Sequence, residues 1–236
     1  MPSCENCPNT DGPHCPSEGS DEAPILIVSD VHSSQSLREG RCFAGGDGKI
    51  LFDVVGADVR LFRKDCKIVH LVNCQPLGKK GSATDAQIAA CAERFDREMD
   101  SSHATVAIAL GRDAFARLTG IERGGIENRR GYIYSPEDCL PVQQRTRAVI
   151  GSYKRDGKHG KAGDPRYGYV TVERRPALPA SLKWIVPTLG LRTIMSEGLK
   201  TIPCLKADCA RAVRLACAET QPVVLTMQTT IPKEWE

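Results

Sequence analysis

The chain has 236 residues, of which 41% are hydrophobic and 26% charged, with 32 Lys and Arg against 29 Asp and Glu. These proportions exclude an intrinsically disordered chain, and the length is enough for one large domain or two small ones. The apolar runs fall far short of the roughly 20 residues that a membrane span needs. The acidic N-terminus also lacks the basic and apolar regions of a signal peptide. We therefore expect a soluble protein of the cytoplasm.

Short apolar runs alternate with helical patterns along the chain. We predict strands at 25–28, 67–72, 105–110 and 184–187, and helices at 48–55, 84–99, 113–118 and 205–218. This alternation is typical of an α/β protein whose parallel sheet is covered by helices on both faces. We expect a three-layer α/β/α domain with a central, mostly parallel four-stranded sheet. Ligands of such sheets bind beyond the carboxyl ends of the strands.

Charge is distributed unevenly along the chain. Residues 1–24 carry five acidic and no Lys or Arg side chains, whereas residues 123–175 carry twelve basic side chains against six acidic ones. The Gly-rich segment 151–168 lies within this basic stretch and holds Tyr153 and Tyr167. Such a segment can follow a phosphate backbone and offer rings for base stacking, although a long solvated surface loop is the ordinary explanation.

Eleven cysteines are the unusual feature of the composition. Their odd number, in a chain without a secretory signal, argues against a disulfide framework and for metal binding or catalysis. Cys4 and Cys7 form a C-x-x-C pair, Cys74 follows a predicted strand, and Cys91 lies on the next helix. Four thiolates suit tetrahedral zinc or an iron–sulfur cluster, while Cys74 and Cys91 could instead be buried small hydrophobic side chains. Cys15 is a spare ligand or a loop thiol. The cysteines without a partner at ligand spacing include Cys42, Cys66, Cys139 and Cys204.

Several motifs resemble the iron–sulfur class of uracil-DNA glycosylases, family 4 of that superfamily. Residues 40–51 read G-R-C-F-A-G-G-D-G-K-I-L, which is similar to the family's G-R-P-F-V-G-x-A-G-x-L-L. The resemblance extends over nearly the whole chain, apart from a basic insertion at about 140–180. It implies an N-terminal iron–sulfur arm and a [4Fe–4S] cluster, whose ligands here would be Cys4, Cys7, Cys74 and Cys91.

The catalytic positions implied by the resemblance carry different residues in this chain. The family's motif G-E-A-P-G-x-x-E-D corresponds to S-D-V-H-S-S-Q-S-L, which puts Asp30 at the glutamate and His32 at the proline. His70 stands where an asparagine reads the uracil edge, and Gly190 stands where a histidine stabilises the departing uracil anion. Phe43 keeps the base-stacking ring. Asp30, His32 and His70 are the candidate catalytic residues, with polar strand-end residues as the ordinary alternative.

Two functions are compatible with this pattern. The first is a catalytically degenerate member that binds DNA, or works as a replication-associated module. Similar domains accompany family A DNA polymerases in some bacteriophages, which makes a DNA polymerase a candidate partner and the host cytoplasm the expected location. The second is an active glycosylase, or another base-processing enzyme, with altered base specificity. We expect the domain to span 1–220, followed by a tail or linker at 221–236. The candidate nucleic-acid contacts are Phe43, Lys154, Arg155, Lys158, Lys161 and Arg192.

Overall fold

The computed structural model describes residues 7, 9, 12–78, 81–122, 124–152 and 165–217. The strands are β1 (Ile25–Val31), β2 (Cys66–Val72), β3 (Val106–Leu110), β4 (Val142–Ser152), β5 (Pro165–Arg174) and β6 (Trp184–Thr188). Four of them form an all-parallel sheet in the order β2–β1–β3–β6. Nearly all residues of these four strands are buried, as expected for a parallel sheet with both faces covered. The predicted fold class is confirmed.

Helices cover both faces of this sheet. They are α1 (Ser34–Glu39), α2 (Gly46–Gly48), α3 (Ala57–Val59), α4 (Asp85–Asp100), α5 (Arg112–Thr119), α6 (Leu191–Glu197) and α7 (Ile202–Ala216). A π-helical segment, Lys49–Gly56, joins α2 to α3, and 3₁₀ turns lie at Arg63–Asp65, Ile126–Asn128, Pro136–Asp138 and Leu199–Thr201. α7 packs on α3 and the π-helical segment, while α4 and α5 are joined by an Arg117–Asp96 ion pair of 2.7 Å. Thr84 begins α4 with a capping box, as the sequence predicts.

The register of the sheet places the carboxyl ends of its four parallel strands side by side. Ser29 is opposite both His70 of β2 and Leu110 of β3, and Leu110 is opposite Thr188 of β6. β1 also runs three residues beyond its predicted end, to Val31. The segments that follow all four strands therefore meet around the end of β1.

An N-terminal arm, residues 12–18, covers the outer edge of β2. His14 and Glu18 form antiparallel bridges with Cys74 and Ile68, and Glu18 and Ile68 exchange backbone hydrogen bonds of 3.0 and 2.7 Å. An edge strand with open hydrogen-bonding groups is a site for unwanted pairing. The arm removes that exposure and fixes the N-terminal segment against the sheet.

The basic insertion contains two strands that the sequence analysis does not predict. β4 and β5 pair as antiparallel strands in a separate two-stranded sheet, and each overlaps one end of the Gly-rich segment 151–168. Glycine and charge in this stretch obscure the aromatic and β-branched residues of β5, which favour a strand.

Some predictions fall on residues outside the described part of the chain. These are Cys4, Lys154, Arg155, Lys158, Lys161 and the tail at 221–236. Among the described residues, every helix is too short or too polar to cross a bilayer.

Candidate functional site

A cleft of about 400 Å³ opens at the carboxyl ends of β1, β3 and β6. Asp30 contributes from β1, Gly111 from the turn after β3, Gly190 from the turn after β6, and Phe43 from the loop after α1. Gly111 has φ +93°, and a Cβ built there would lie 3.4 Å from the Cα of Gly190. The two backbones therefore approach closely at the floor of the cleft. This is the place where open parallel sheets bind their ligands.

Carboxyl groups and two arginines, Arg112 and Arg192, share the cleft. Burial raises the pKa of Asp30, and nearby Asp113 adds to the rise, while the Val31 backbone and Arg192 lower it. Burial also raises the pKa of Asp47, although the positive charge of Arg192 lowers it in part. A carboxyl group with a raised pKa at a ligand cleft is a candidate for proton transfer. Asp30, a candidate catalytic residue of the sequence analysis, thus lines the cleft.

Phe43 forms one wall of the cleft in an unusual backbone conformation. Its φ of +46° lies in the left-handed region, which costs a non-glycine residue on the order of 1–3 kcal/mol. Arg63 holds this turn: Nη1 donates to the Cys42 carbonyl at 2.8 Å, and Nη2 donates to the Phe43 carbonyl at 3.2 Å. Glu18 anchors the guanidinium at 2.9 Å. The turn that carries Phe43 is thus held in place by its backbone carbonyls.

His32 and His70 lie behind this wall, and neither is among the described residues that line the cleft. Both side chains are about 1% exposed, and their rings stack at 3.7 Å with Phe43 5.0 Å from His70. Burial lowers the pKa of His32 to about 4 and that of His70 well below its usual value. Both rings are therefore neutral at neutral pH and carry no charge that could stabilise an anion.

A buried Cys–His–Cys group adjoins these histidines. The ligand atoms of Cys15, His32 and Cys42 all lie within 4.8 Å of one another. Thiol and imidazole groups at such spacing can hold a metal. The sequence did not suggest this group, because its members come from the arm, the end of β1 and the loop after α1. Its cysteines are also not the expected cluster ligands.

Three of the four expected cluster cysteines fall within the described part of the chain. Cys7 and Cys74 are buried, and Cys91 is half-buried on α4. The backbone carbonyl that follows Cys74 accepts hydrogen bonds from the side chains of both Asn9 and Gln87, each at 2.9 Å. Asn9 is two residues beyond Cys7, and Gln87 is one helical turn before Cys91. Asn9, the segment after β2 and α4 are thus joined by these two hydrogen bonds.

Three further residues line the cleft: Arg192, which the sequence analysis names as a nucleic-acid contact, and Asp47 and Asp113, which it does not name. Arg192 is exposed on α6, a helix that the sequence did not predict, and its guanidinium donates to the carbonyl of Gly81. Asp47 and Asp113 also line the cleft and were not singled out from the sequence. For Asp113 a signal existed, since it opens the helix after a strand and a glycine. For Asp47 and for Arg63 no local signal was present.

Comparisons with known proteins agree with this architecture. Residues 16–167 match a family model described as the Uracil DNA glycosylase superfamily. The Type-4 uracil-DNA glycosylase of Saccharolobus solfataricus is 30% identical over 103 residues, which is 44% of this chain and 47% of that relative. That of Sulfurisphaera tokodaii is 31% identical over 97 residues, or 41% and 44% respectively. The alignments span about half the length of these curated relatives. Because the family match extends over more than half of its residues, this chain belongs to the uracil-DNA glycosylase superfamily.

Proposed function

We propose that this chain is a [4Fe–4S]-containing, DNA-binding member of the superfamily that has lost uracil excision and acts as a binding or replication-associated module. One observation carries the proposal. The resemblance expects a histidine at position 190 to stabilise the departing base, and the cleft there is lined by the backbone of Gly190.

The chemistry of base excision explains why this position matters. Glycosidic cleavage needs an extruded base, donors and acceptors that match its edge, and stabilisation of the negative charge on the leaving base. Loss of one preorganised donor of that kind typically lowers the rate by about 10²–10³. Gly190 offers no side chain for this purpose. His70, at the expected base-reading position, is buried and neutral behind Phe43.

The scaffold for binding remains. The cleft persists at the sheet edge, Phe43 forms its wall, and Arg192 lies at its rim. A [4Fe–4S] cluster on Cys4, Cys7, Cys74 and Cys91 would supply a structural crosslink between the arm, β2 and α4. Side chains that line the cleft, among them Phe43 and Arg192, would hold the nucleotide and exclude water.

A second candidate function is favoured by Asp30. Its carboxyl group lines the cleft with a raised pKa, which is a property of catalytic acids and bases. An enzyme that processes a different base could use Asp30 to position or activate a water molecule. We retain this as the alternative.

A single preparation can separate the two functions. Release of uracil, hypoxanthine and modified pyrimidines from single- and double-stranded DNA is measured beside a DNA-binding titration, with the Saccharolobus solfataricus relative as positive control. We expect salt-sensitive DNA binding and no base release. Turnover that Asp30→Ala abolishes would establish the enzyme and refute the binding module. Absence of both binding and turnover, in protein with a full complement of iron and sulfide, would refute both functions.

The partner and the location follow from the resemblance and from this proposed role. A DNA-binding module of this kind would act in the cytoplasm, which is the host's if the gene belongs to a bacteriophage. Co-purification with a family A DNA polymerase encoded beside it tests the replication association.

A further inference from the structure

The buried group of Cys15, His32 and Cys42 has a geometry that suits a metal ion. Any three atoms that lie within 4.8 Å of one another have a common point no more than about 2.8 Å from each. Zinc binds cysteine sulfur at about 2.3 Å and histidine nitrogen at about 2.0–2.1 Å, so a shift of roughly half an ångström per side chain would close the site. Cys15 and Cys42 are fully buried, and His32 is 1% exposed.

His32 supplies an independent reason for a ligand. Both of its ring nitrogens are buried without a hydrogen-bond partner among the described residues. The side chain of Asn73 and the backbone of Cys15 both lie close enough to favour the protonated ring, but neither makes a hydrogen bond of acceptable geometry to it, and Oδ1 of Asn73 is itself unpaired among the described residues. Buried polar atoms in proteins are nearly always paired, and an unpaired one costs about 1–3 kcal/mol. A metal bound to one ring nitrogen would explain the unpaired imidazole.

The surroundings hold the three side chains in place. The backbone N–H of Cys15 donates to the Asn73 carbonyl at 2.9 Å, and the carbonyl of Cys42 accepts from Arg63 at 2.8 Å. Both thiols point at the carbonyl of Pro16, Cys42 at 3.2 Å and Cys15 at 3.6 Å. The two sulfur atoms are therefore brought together by backbone contacts from separate parts of the chain.

We propose that Cys15, His32 and Cys42 form a second metal site, separate from the cluster cysteines, that binds one Zn²⁺ through two thiolates and one imidazole nitrogen. His70 packs beside this site, with Nδ1 4.0 Å from Sγ of Cys42 and its ring stacked on that of His32. Two cysteines and one histidine are a known zinc ligand set, in which a water molecule completes the tetrahedron. On binding, each thiol gives up its proton to solvent and its sulfur bonds to the metal, with no change of oxidation state.

The substituted motif positions fit this assignment. His32 and Cys42 stand where the resembling motifs have proline. One bound ion explains both departures together.

The test begins with the unmodified holoprotein. Elemental analysis should give about one zinc per chain in addition to the iron and sulfide of the cluster. X-ray absorption at the zinc edge should show two sulfur neighbours, with nitrogen or oxygen atoms as the others. Four sulfur neighbours would place the zinc on the cluster cysteines and overturn the proposal. Absence of zinc after incubation with Zn²⁺ and desalting would overturn it, as would a Cys15–Cys42 disulfide found by mass spectrometry.

Variants with a matched control complete the test. Cys42→Ala and His32→Ala should lower the zinc content at least tenfold and leave the iron content unchanged. Cys66→Ala is the control, because Cys66 is equally buried and its thiol also donates to a backbone carbonyl, that of Phe62, at 3.3 Å. Cys66→Ala should retain zinc. If Cys42→Ala does not fold, Cys15→Ser on the arm replaces it, and full zinc retention in that variant would refute the site.

Discussion

Arg63→Ala tests whether the arginine clamp stabilises the turn at Cys42 and Phe43. The guanidinium donates to the carbonyls of Cys42 and Phe43, pairs with Glu18 at 2.9 Å, and lies 4.5 Å from the centre of the Phe52 ring. Its side chain is 21% exposed, so solvent replaces these contacts only in part.

The expected cost can be worked out from these contacts. Hydrogen bonds from a charged donor contribute about 1.5–3 kcal/mol each, and a ring contact of this kind contributes about 0.5–1 kcal/mol. The ion pair adds at most about 1 kcal/mol, because both side chains are partly exposed. After allowance for non-additivity, we expect Arg63→Ala to lower the free energy of unfolding by about 3–5 kcal/mol. For a chain of this length that corresponds to a fall in Tm of roughly 10 °C.

The assay is thermal unfolding followed by circular dichroism at a fixed scan rate, with iron content measured for each variant. Arg41→Ala is the matched control, since Arg41 approaches the same Glu18 at 3.9 Å but is 61% exposed. It should change the stability by less than about 0.5 kcal/mol. Arg63→Lys keeps the charge without the planar fork and should fall between the two. If Arg63→Ala and Arg41→Ala were equally stable, the clamp would be refuted.

Four further predictions concern the cleft, the cluster and the basic segment. Asp30→Asn should stabilise the protein by about 0.5–2 kcal/mol at pH 7 in denaturant titrations, because burial raises the pKa of Asp30 and the folded state is penalised once that carboxyl ionises. The gain should vanish below the usual carboxyl pKa, where both states are protonated, and a constant gain at all pH values would contradict this origin. Gly190→His should leave Tm nearly unchanged, since Gly190 has an extended backbone with φ −67° and a Cβ there would meet Gly111 at an ordinary 3.5 Å. Gly111→Ala should be strongly destabilising, because a side chain is strained at a φ of +93°. Equal Tm values for the Gly190 and Gly111 variants would contradict these backbone conformations. Cys74→Ala should abolish the broad visible absorption of the purified protein and its bound iron, and an unchanged spectrum would remove Cys74 from the cluster ligands. Neutralising the four basic residues between β4 and β5 should flatten the salt dependence of DNA binding, measured as log Kd against log salt concentration. An unchanged slope would make this segment ordinary solvated surface. The four residues are Lys154, Arg155, Lys158 and Lys161.

The parallel sheet could be predicted because each of its strands is a short apolar run set between helical patterns. The predicted strands are wrong or missing where the local composition disfavours a strand and pairing with a distant strand nevertheless forms one. β1 continues through Ser29 and Asp30 because its hydrogen bonds to β2 run on to the Val31–Val72 pair, although both residues are polar. β4 and β5 were missed because charge and glycine masked the aromatic and β-branched alternation that favours pairing.

The chemistry of the site was less predictable, since it depends on which side chains are buried. Asp30 and His32 are two residues apart, and in a continuing strand they would share one face. β1 ends at Val31, however, and the chain turns there, so that Asp30 lines the cleft while His32 packs on His70 behind it. The sequence shows the residue types but not which side chains are buried. Asp30 is open to a ligand in the cleft, whereas His32 and His70 are neutral rings in the interior.

The N-terminal segment links these observations, because it carries a cysteine toward each of the two proposed metal sites. Cys7 lies before Asn9, whose side chain bonds to the carbonyl that follows Cys74, and Cys15 lies within the arm, beside the buried histidines. Backbone hydrogen bonds to Ile68 and Asn73 already hold the arm on the edge of β2. Metal bonds at both ends of the segment would add to this attachment, and the free energy of metal binding would then become free energy of folding.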